Sequence, residues 1–122
     1  MTLAQPRSKP VVKFRLRVTV GDVIAIGPGK ISLLEAIADT GSITAAAKSL
    51  DMSYRRAWLL LAELNQALHT PAVDSAKGGQ HGGGSALTPV GRQLIDTYRR
   101  IENTAEKACA ADVKRLMRMV AG

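Results

Sequence analysis

The spacing of hydrophobic positions changes along this 122-residue chain and separates a strand region from a series of helices. Over residues 12–20, apolar side chains alternate with polar ones, which is the period of a strand with one buried face. The other face carries Lys13, Arg15 and Arg17, so it could follow a phosphate backbone or simply keep an edge strand soluble. A short apolar run over residues 23–26 predicts a second strand or an extended connection.

The apolar period then lengthens to three- and four-residue steps, which indicates helices. A first helix is expected from Pro28 to about Asp39, and Gly41 can end it because glycine readily adopts positive φ. The face predicted to be buried carries Ile31, Leu34, Ile37 and Ala38.

Residues 42–69 are predicted to form a helix-turn-helix. Ser42 and Ser53 each precede a helix, where a serine oxygen can accept a hydrogen bond from a first-turn amide. In this motif the second helix enters the major groove with its N-terminal residues first, and we expect Trp58 to pack in the core or between helices. The alternative for the arginines of the first turn is that they are ordinary surface charges. The residues expected to contact DNA are Ser42, Thr44, Ser53, Tyr54, Arg55, Arg56 and Leu59.

Residues 72–87 are predicted to form a wing, in which two short strands flank a glycine-rich tip directly after the recognition helix. A tip rich in glycine can lie close to sugar and phosphate, with its backbone amides as donors. The competing interpretation is a surface loop with no partner. A nucleotide-binding phosphate loop is disfavoured because Ser85, not lysine, follows the last glycine and the loop leads into a strand. The wing residues expected to contact DNA are Lys77, His81, Gly82 and Gly83.

A long helix is predicted over residues 88–120, with Thr88 as its cap and Pro89 in its first turn. Its apolar side chains form a seam close to a heptad repeat. A body of 13.0 kDa cannot cover such a helix along its whole length, so we expect a second copy of the chain to pack on it. The alternative is a helix that bends back or frays after Ala110. The expected dimerisation residues are Leu94, Tyr98, Ile101, Ala105, Cys109, Val113 and Leu116.

Composition and charge narrow the class of protein. Only 3% of residues are aromatic, so the core must be aliphatic, and the net charge of +7 indicates a polyanionic partner: DNA, RNA or an anionic membrane surface. Residues 1–11 are expected to be a flexible basic tail and residues 12–122 a single domain. The single cysteine and the lack of an apolar leader or a membrane-length apolar run favour the cytoplasm.

We expect neither an enzyme nor a metal site. The two histidines, His69 and His81, stand apart in different settings, and no nucleophile can be paired with a base. Cys109 falls within the apolar seam, where packing is a better explanation than metal ligation.

A family resemblance is carried by the runs GSITAAAKSLDMSYRRAWLLLAELN, GGQHGGGSALT and GRQLI. Together they resemble the N-terminal DNA-binding domain of the ModE family of molybdate-responsive transcriptional regulators. The helix-turn-helix alone is also similar to LysR-type regulators. The resemblance covers roughly residues 14–107.

The resemblance implies a mainly α fold with a small β-sheet: a winged helix-turn-helix with an N-terminal strand and a long C-terminal dimerisation helix. It also implies a homodimeric regulator, expected to be a repressor, on an inverted-repeat operator of molybdate transport or molybdenum-cofactor genes. The family senses molybdate through separate C-terminal domains, so we expect no cofactor on this chain. Molybdate binding by the chain itself, for example by the glycine loop, is the lesser alternative. A further alternative is a protein-interaction or dimerisation module that acts with a separate sensor chain.

Overall fold

The computed structural model describes residues 8–74 and 86–121, and within them five helices and two small hairpins form a mainly α fold. The order of these helices and strands along the chain confirms a winged helix-turn-helix. The elements are β1 Val18–Val20, β2 Val23–Ile26, α1 Pro28–Thr40, α2 Ile43–Ser49, α3 Tyr54–Ala67, β3 Val73–Asp74, β4 Ala86–Leu87, α4 Pro89–Ala108 and α5 Ala110–Met119.

The N-terminal strand is shorter than predicted. Only Val18–Val20 pairs with β2, through a tight turn in which Gly21 has φ +61°, and residues 8–17 have no regular secondary structure. The predicted buried face is present only in part: Leu16 packs against the core, whereas Val12 and Val18 are exposed and Val20 is 62% exposed. An alternating sequence shows which side chains share one face of a strand, but that face is buried only where another layer packs on it. β1 belongs to a sheet of two strands, with β2 as its partner.

The core is aliphatic, as the composition predicts, and α1 runs through its centre. Side chains of α1 and α3 fill it, with the alanines of α2 and Tyr98 of α4 around them. Gly41 ends α1 in the left-handed conformation and donates its amide to the Ile37 carbonyl at 2.8 Å. Ala38 is exposed whereas Leu33 is buried, so the buried face of α1 is turned from the predicted one. The largest fully buried side chains are Ile31, Leu33, Leu34, Ile37, Leu61 and Leu64.

The predicted long C-terminal helix is divided into α4 and α5 by a turn at Cys109. Hydrogen bonds continue across this turn, since the Cys109 amide donates to Ala105 and its carbonyl accepts from Val113 at 2.8 Å. No glycine or proline marks the position, so the sequence carried no signal for the turn. Among the described helices, none is long and apolar enough to cross a lipid bilayer.

A bidentate ion pair connects α4 to α1. The Arg99 guanidinium donates to both carboxylate oxygens of Glu35, at 2.9 Å and 2.6 Å, and also to Glu102 at 2.6 Å. These hydrogen bonds from Arg99 hold the pKa of the Glu35 carboxyl below its usual value, although partial burial opposes the shift. The pair connects α4 to α1, in addition to the apolar contacts of α4 with the core.

Candidate nucleic-acid interface

Both predicted serine caps are present in the helix-turn-helix. The Ser42 hydroxyl accepts from the Ala45 amide at 3.0 Å, and the Ser53 hydroxyl accepts from the Arg56 amide at 3.0 Å. In the turn between the helices, Asp51 adopts φ +56°, a conformation that aspartate tolerates better than most residues. The turn therefore starts α3 at a defined angle to α2.

Small side chains bring the two helices close together. Ala46 and Ala47 of α2 and Ala57 of α3 are buried, so the two backbones approach without a large residue between them. The buried stripe of α3 continues through Leu61 and Leu64. The opposite side of α3 is left facing outwards.

The outward side of α3 carries the residues predicted to read DNA. Tyr54, Arg55 and Arg56 are exposed in its first turn, and Leu59 is 55% exposed one turn later. This first turn contains no acidic residue, so the positive end of the helix and the two arginines together present positive charge, which is what an anion site at a helix N-terminus requires. Arginine also has a planar fork that matches a guanine edge. Ser53, at the cap, is exposed as well.

The other two predicted contacts lie at the beginning of α2. Thr44 is exposed there, whereas Ser42 is half-buried and its hydroxyl is engaged as the helix cap. A residue in this position can present its backbone to phosphate while the first helix crosses the duplex.

Trp58 is not a core residue, and that prediction is wrong. Its side chain is 37% exposed and meets the Tyr54 ring edge-on, with ring centroids 6.1 Å apart and planes at 75°. The buried stripe passes through Ala57, and the next residue is turned by about 100° around the helix. The pair of rings therefore lies beside the arginines on the outer surface of α3.

The base of the predicted wing is present. β3 and β4 pair antiparallel, with Val73 opposite Leu87. Asn65, near the end of α3, accepts from the Ala72 amide at 2.8 Å and donates to the Val73 carbonyl at 3.3 Å. These two bonds connect the recognition helix directly to the wing. The predicted contacts Lys77, His81, Gly82 and Gly83 lie outside the described residues.

The start of α4 closes against the other side of the wing base. The Thr88 hydroxyl donates to the Pro71 carbonyl at 2.7 Å and caps α4 by accepting from the Gly91 amide at 3.1 Å. The Thr88 backbone amide donates to the Ala72 carbonyl at 2.9 Å. A Cβ at Gly91 would lie 2.3 Å from the Ala72 carbonyl oxygen, so only glycine permits this approach.

A buried lysine positions α3, and no pattern in the sequence indicated it. Lys30 is 5% exposed; its ammonium lies 3.0 Å from the Glu63 carboxylate and also donates to the Ile24 carbonyl. A charge buried this deeply requires such partners. These contacts join β2, α1 and α3, and this side of the recognition helix is therefore fixed by electrostatics as well as by apolar packing.

The predicted dimerisation seam divides into two parts. Leu94 packs on the protomer's own core, and Tyr98 is 2% exposed, with its hydroxyl donating to the Leu16 carbonyl at 2.7 Å. Burial is the main reason that the pKa of the Tyr98 hydroxyl is raised. From Ile101 onwards the seam faces outwards. Ile101 and Leu116 are exposed, whereas Ala105, Cys109 and Val113 are half-buried.

Within residues 8–74 and 86–121, no group of three or more histidine, cysteine, aspartate or glutamate side chains could hold a metal ion. The chemistry that this surface offers is recognition by arginine, hydroxyl and aromatic groups.

The part of the chain that carries this surface is similar to known bacterial proteins. Residues 29–92 match the family model described as bacterial regulatory helix-turn-helix protein, lysR family. The chain is 42% identical over 91 residues to the molybdenum-pterin-binding protein MopB of Rhodobacter capsulatus, which is 75% of this chain and 34% of that protein. It is 36% identical over 93 residues to the transcriptional regulator ModE of Haemophilus influenzae, covering 76% and 36% respectively.

A third relative is the DNA-binding transcriptional dual regulator ModE of Escherichia coli K12, 42% identical over 81 residues, 66% of this chain and 31% of that protein. The chain therefore spans about a third of the length of the curated relatives it matches. Over that part, the resemblance drawn from the sequence is confirmed.

Proposed function

This chain belongs to the lysR family of bacterial regulatory helix-turn-helix proteins, and from that premise we propose that it is a transcriptional regulator that binds double-stranded DNA sequence-specifically. The observation that carries the proposal is the exposed start of α3. Tyr54, Arg55, Arg56 and Leu59 lie there after a capped turn, and the first turn of α3 contains no acidic residue. A helix presented in this way fits the major groove N-terminus first.

We propose that the arginines read base edges and that the capped ends of α2 and α3 set the register on phosphate. A bidentate arginine–guanine contact discriminates against the wrong base by about 1–3 kcal/mol. The exposed Tyr54–Trp58 pair adds apolar surface of the kind that can contact a thymine methyl group. The Asn65 side chain accepts from Ala72 and donates to Val73, which holds the wing base beside α3 and supports a second contact, between the wing and the DNA backbone.

The active form is proposed to be a homodimer formed through the outward part of the C-terminal helices. No residue of α5 is buried, and Ile101 and Leu116 expose large apolar side chains. A second copy would cover them in a left-handed helix pair. Two-fold symmetry would then place two recognition helices on an inverted repeat with half-sites about 34 Å apart.

The regulated genes are proposed to concern molybdate or the molybdenum cofactor, with the regulator acting as a repressor. The support for this class of genes is the names of the relatives, which include two molybdenum-pterin-binding proteins, a DNA-binding transcriptional dual regulator ModE and a molybdenum transport protein ModE. Calorimetry of the chain with sodium molybdate tests whether these 122 residues sense the oxyanion. We expect no heat of binding, because the family resemblance assigns molybdate sensing to domains separate from the helix-turn-helix.

The experiment that tests the function is selection of duplexes from a random DNA pool by the purified chain. We expect enrichment of an inverted repeat whose half-sites lie on one side of the duplex. Arg56→Ala should weaken the enrichment, whereas Arg100→Ala, on the exposed side of α4, should retain it. If the pool is still random after repeated rounds with the wild-type chain, sequence-specific binding is contradicted and only non-specific DNA binding remains.

A second candidate function is a protein-interaction or dimerisation module that acts with a separate sensor chain. The exposed apolar side of α5 is the observation that favours it. Light scattering coupled to gel filtration, with and without duplex DNA, distinguishes the two functions. The module requires no complex with DNA, whereas the regulator requires a complex of two chains per duplex.

A further inference from the structure

A groove of about 380 Å³ lies between the β1–β2 hairpin and the outer flank of α3. It is continuous with the surface proposed to read DNA, since Arg56 and Leu59 belong to both. The side chains that matter for its chemistry are Arg17 and Ile24 of the hairpin region, Lys30 of α1, and Arg56, Leu59 and Glu63 of α3.

The groove carries a positive charge that its own acids do not cancel. Lys30 and Glu63 neutralise each other at 3.0 Å. The remaining charged groups that line it are Arg17, Arg56 and Asp22, which leaves one net positive charge. In the described part of the chain, neither arginine forms an ion pair. Arg17, next to the hairpin, and Arg56, on α3, therefore line the same groove.

We propose that Arg17 binds a phosphate of the DNA backbone that borders the major-groove site, so that the N-terminal hairpin is a third DNA-contacting element beside α3 and the wing. This inference rests on the proposed function and names a contact that the function does not require. A helix in the major groove is flanked by the two sugar–phosphate strands. The hairpin and the outer flank of α3 line the same groove, so a strand that follows this flank would pass the hairpin.

The backbone around Arg17 is held in place before DNA arrives. The preceding residue, Leu16, accepts a hydrogen bond from the buried Tyr98 hydroxyl at 2.7 Å, and the following residue begins β1. The aliphatic stem of Arg17 lies over Gly27, where an added Cβ would be 3.6 Å from the Arg17 Cγ. A side chain supported along its stem loses less conformational freedom when its guanidinium binds phosphate.

A phosphate contact can be tested without knowledge of the operator, because it does not depend on sequence. The probe is a fluorescein-labelled duplex of random sequence, with binding followed by anisotropy between about 50 and about 200 mM NaCl. Arg17→Gln keeps the stem and removes the charge; Arg17→Met is a second neutral variant. Arg100→Gln, on the exposed side of α4, makes the same change in net charge away from the groove.

We expect Arg17→Gln to lower the slope of log affinity against log salt by about 0.9 for each phosphate that the side chain no longer neutralises. The wild-type advantage over this variant should therefore shrink about 3.5-fold per phosphate across that salt range. Arg17→Lys should restore the slope, and Arg100→Gln should keep it. Urea unfolding followed by Trp58 emission confirms that each variant is folded.

Two results would overturn the inference. The first leaves the proposed function intact, and the second contradicts it as well. If Arg17→Gln and Arg17→Met match Arg100→Gln in slope while Arg56→Gln weakens binding, the hairpin contact is wrong and the proposed function stands. If the wild-type chain does not bind the duplex at the lowest salt, the proposed function fails together with this contact.

Discussion

Substitution of Gly91 by alanine tests the junction between the wing base and α4. The new Cβ would lie 2.3 Å from the Ala72 carbonyl oxygen, more than 1 Å inside ordinary contact. Ala72 is fully buried, so its backbone has no open space into which to move. The same carbonyl accepts the Thr88 amide at 2.9 Å, and any shift that relieves the overlap weakens this hydrogen bond.

The expected cost of Gly91→Ala combines three effects. Forcing an extra methyl group into packed surroundings costs about 1–3 kcal/mol, and the weakened hydrogen bond costs about 0.5–1.5 kcal/mol. Alanine in a helix recovers about 1 kcal/mol. The net destabilisation should be about 2 kcal/mol, with a matching fall in the melting temperature of roughly 8 °C.

The assay is urea unfolding followed by Trp58 emission at one fixed protein concentration, since dimerisation would make stability concentration-dependent. Gly29→Ala is the matched control, because that glycine is also helical and has open space around its Cβ position. It should be neutral or stabilising by up to about 1 kcal/mol. Equal stability of the two variants would show that the close approach at Gly91 does not constrain the fold.

Three further substitutions test single contacts. Ser53→Ala removes the cap of α3 and should cost about 1 kcal/mol in urea unfolding; no loss would mean that the hydroxyl contributes nothing to the turn. Tyr98→Phe removes the hydrogen bond to Leu16 and should cost about 0.5–1.5 kcal/mol, with faster amide exchange in β1 as its specific sign. Glu35→Gln tests how the stability of the fold depends on pH. The folded-state pKa of Glu35 lies below its ordinary value, so the pair with Arg99 stabilises the fold above about pH 4.3 and is lost as pH falls through the folded pKa. This pair is partly exposed, so Glu35→Gln should cost at most about 1 kcal/mol at neutral pH and should flatten the acid limb of a melting-temperature profile; an unchanged acid limb would contradict the assignment.

Local chemistry was predictable from the sequence where it depends on residues close together in the chain. The caps at Ser42, Ser53 and Thr88 were found by their position before a helical period, and the structure shows each accepting a first-turn amide. A cap needs only its own helix, so the sequence contains the whole interaction. The positions of the turn and of the recognition helix followed from these caps.

Predictions that depended on a distant partner were less successful. The alternating residues 12–20 show a pleat but not what covers it, and only Val18–Val20 finds a strand partner in β2. Tyr98 fits the dimer seam by spacing, yet its side chain is enclosed by the protomer's own core. The spacing of apolar residues shows which side of a helix is buried, but not whether the same chain or a second copy buries it.

The two ion pairs between distant elements could not be inferred from the sequence. Lys30 and Glu63 are 33 positions apart, and Glu35 and Arg99 are 64 apart. Both pairs depend on how α1 crosses α3 and α4, which no local pattern encodes. Trp58 was misplaced for a related reason, since one step along α3 separates the buried stripe from the exposed flank.

Recognition of a DNA sequence by the start of α3 has one most direct test. It is the affinity of the wild-type chain for a duplex enriched by selection, measured beside a shuffled duplex of equal length and composition at one salt concentration. We expect at least a roughly thousandfold preference for the selected duplex. Arg55→Ala or Arg56→Ala should remove about 1–3 kcal/mol of that preference if the arginine reads a base. Equal affinity for the two duplexes, unchanged by either substitution, would contradict sequence recognition by α3.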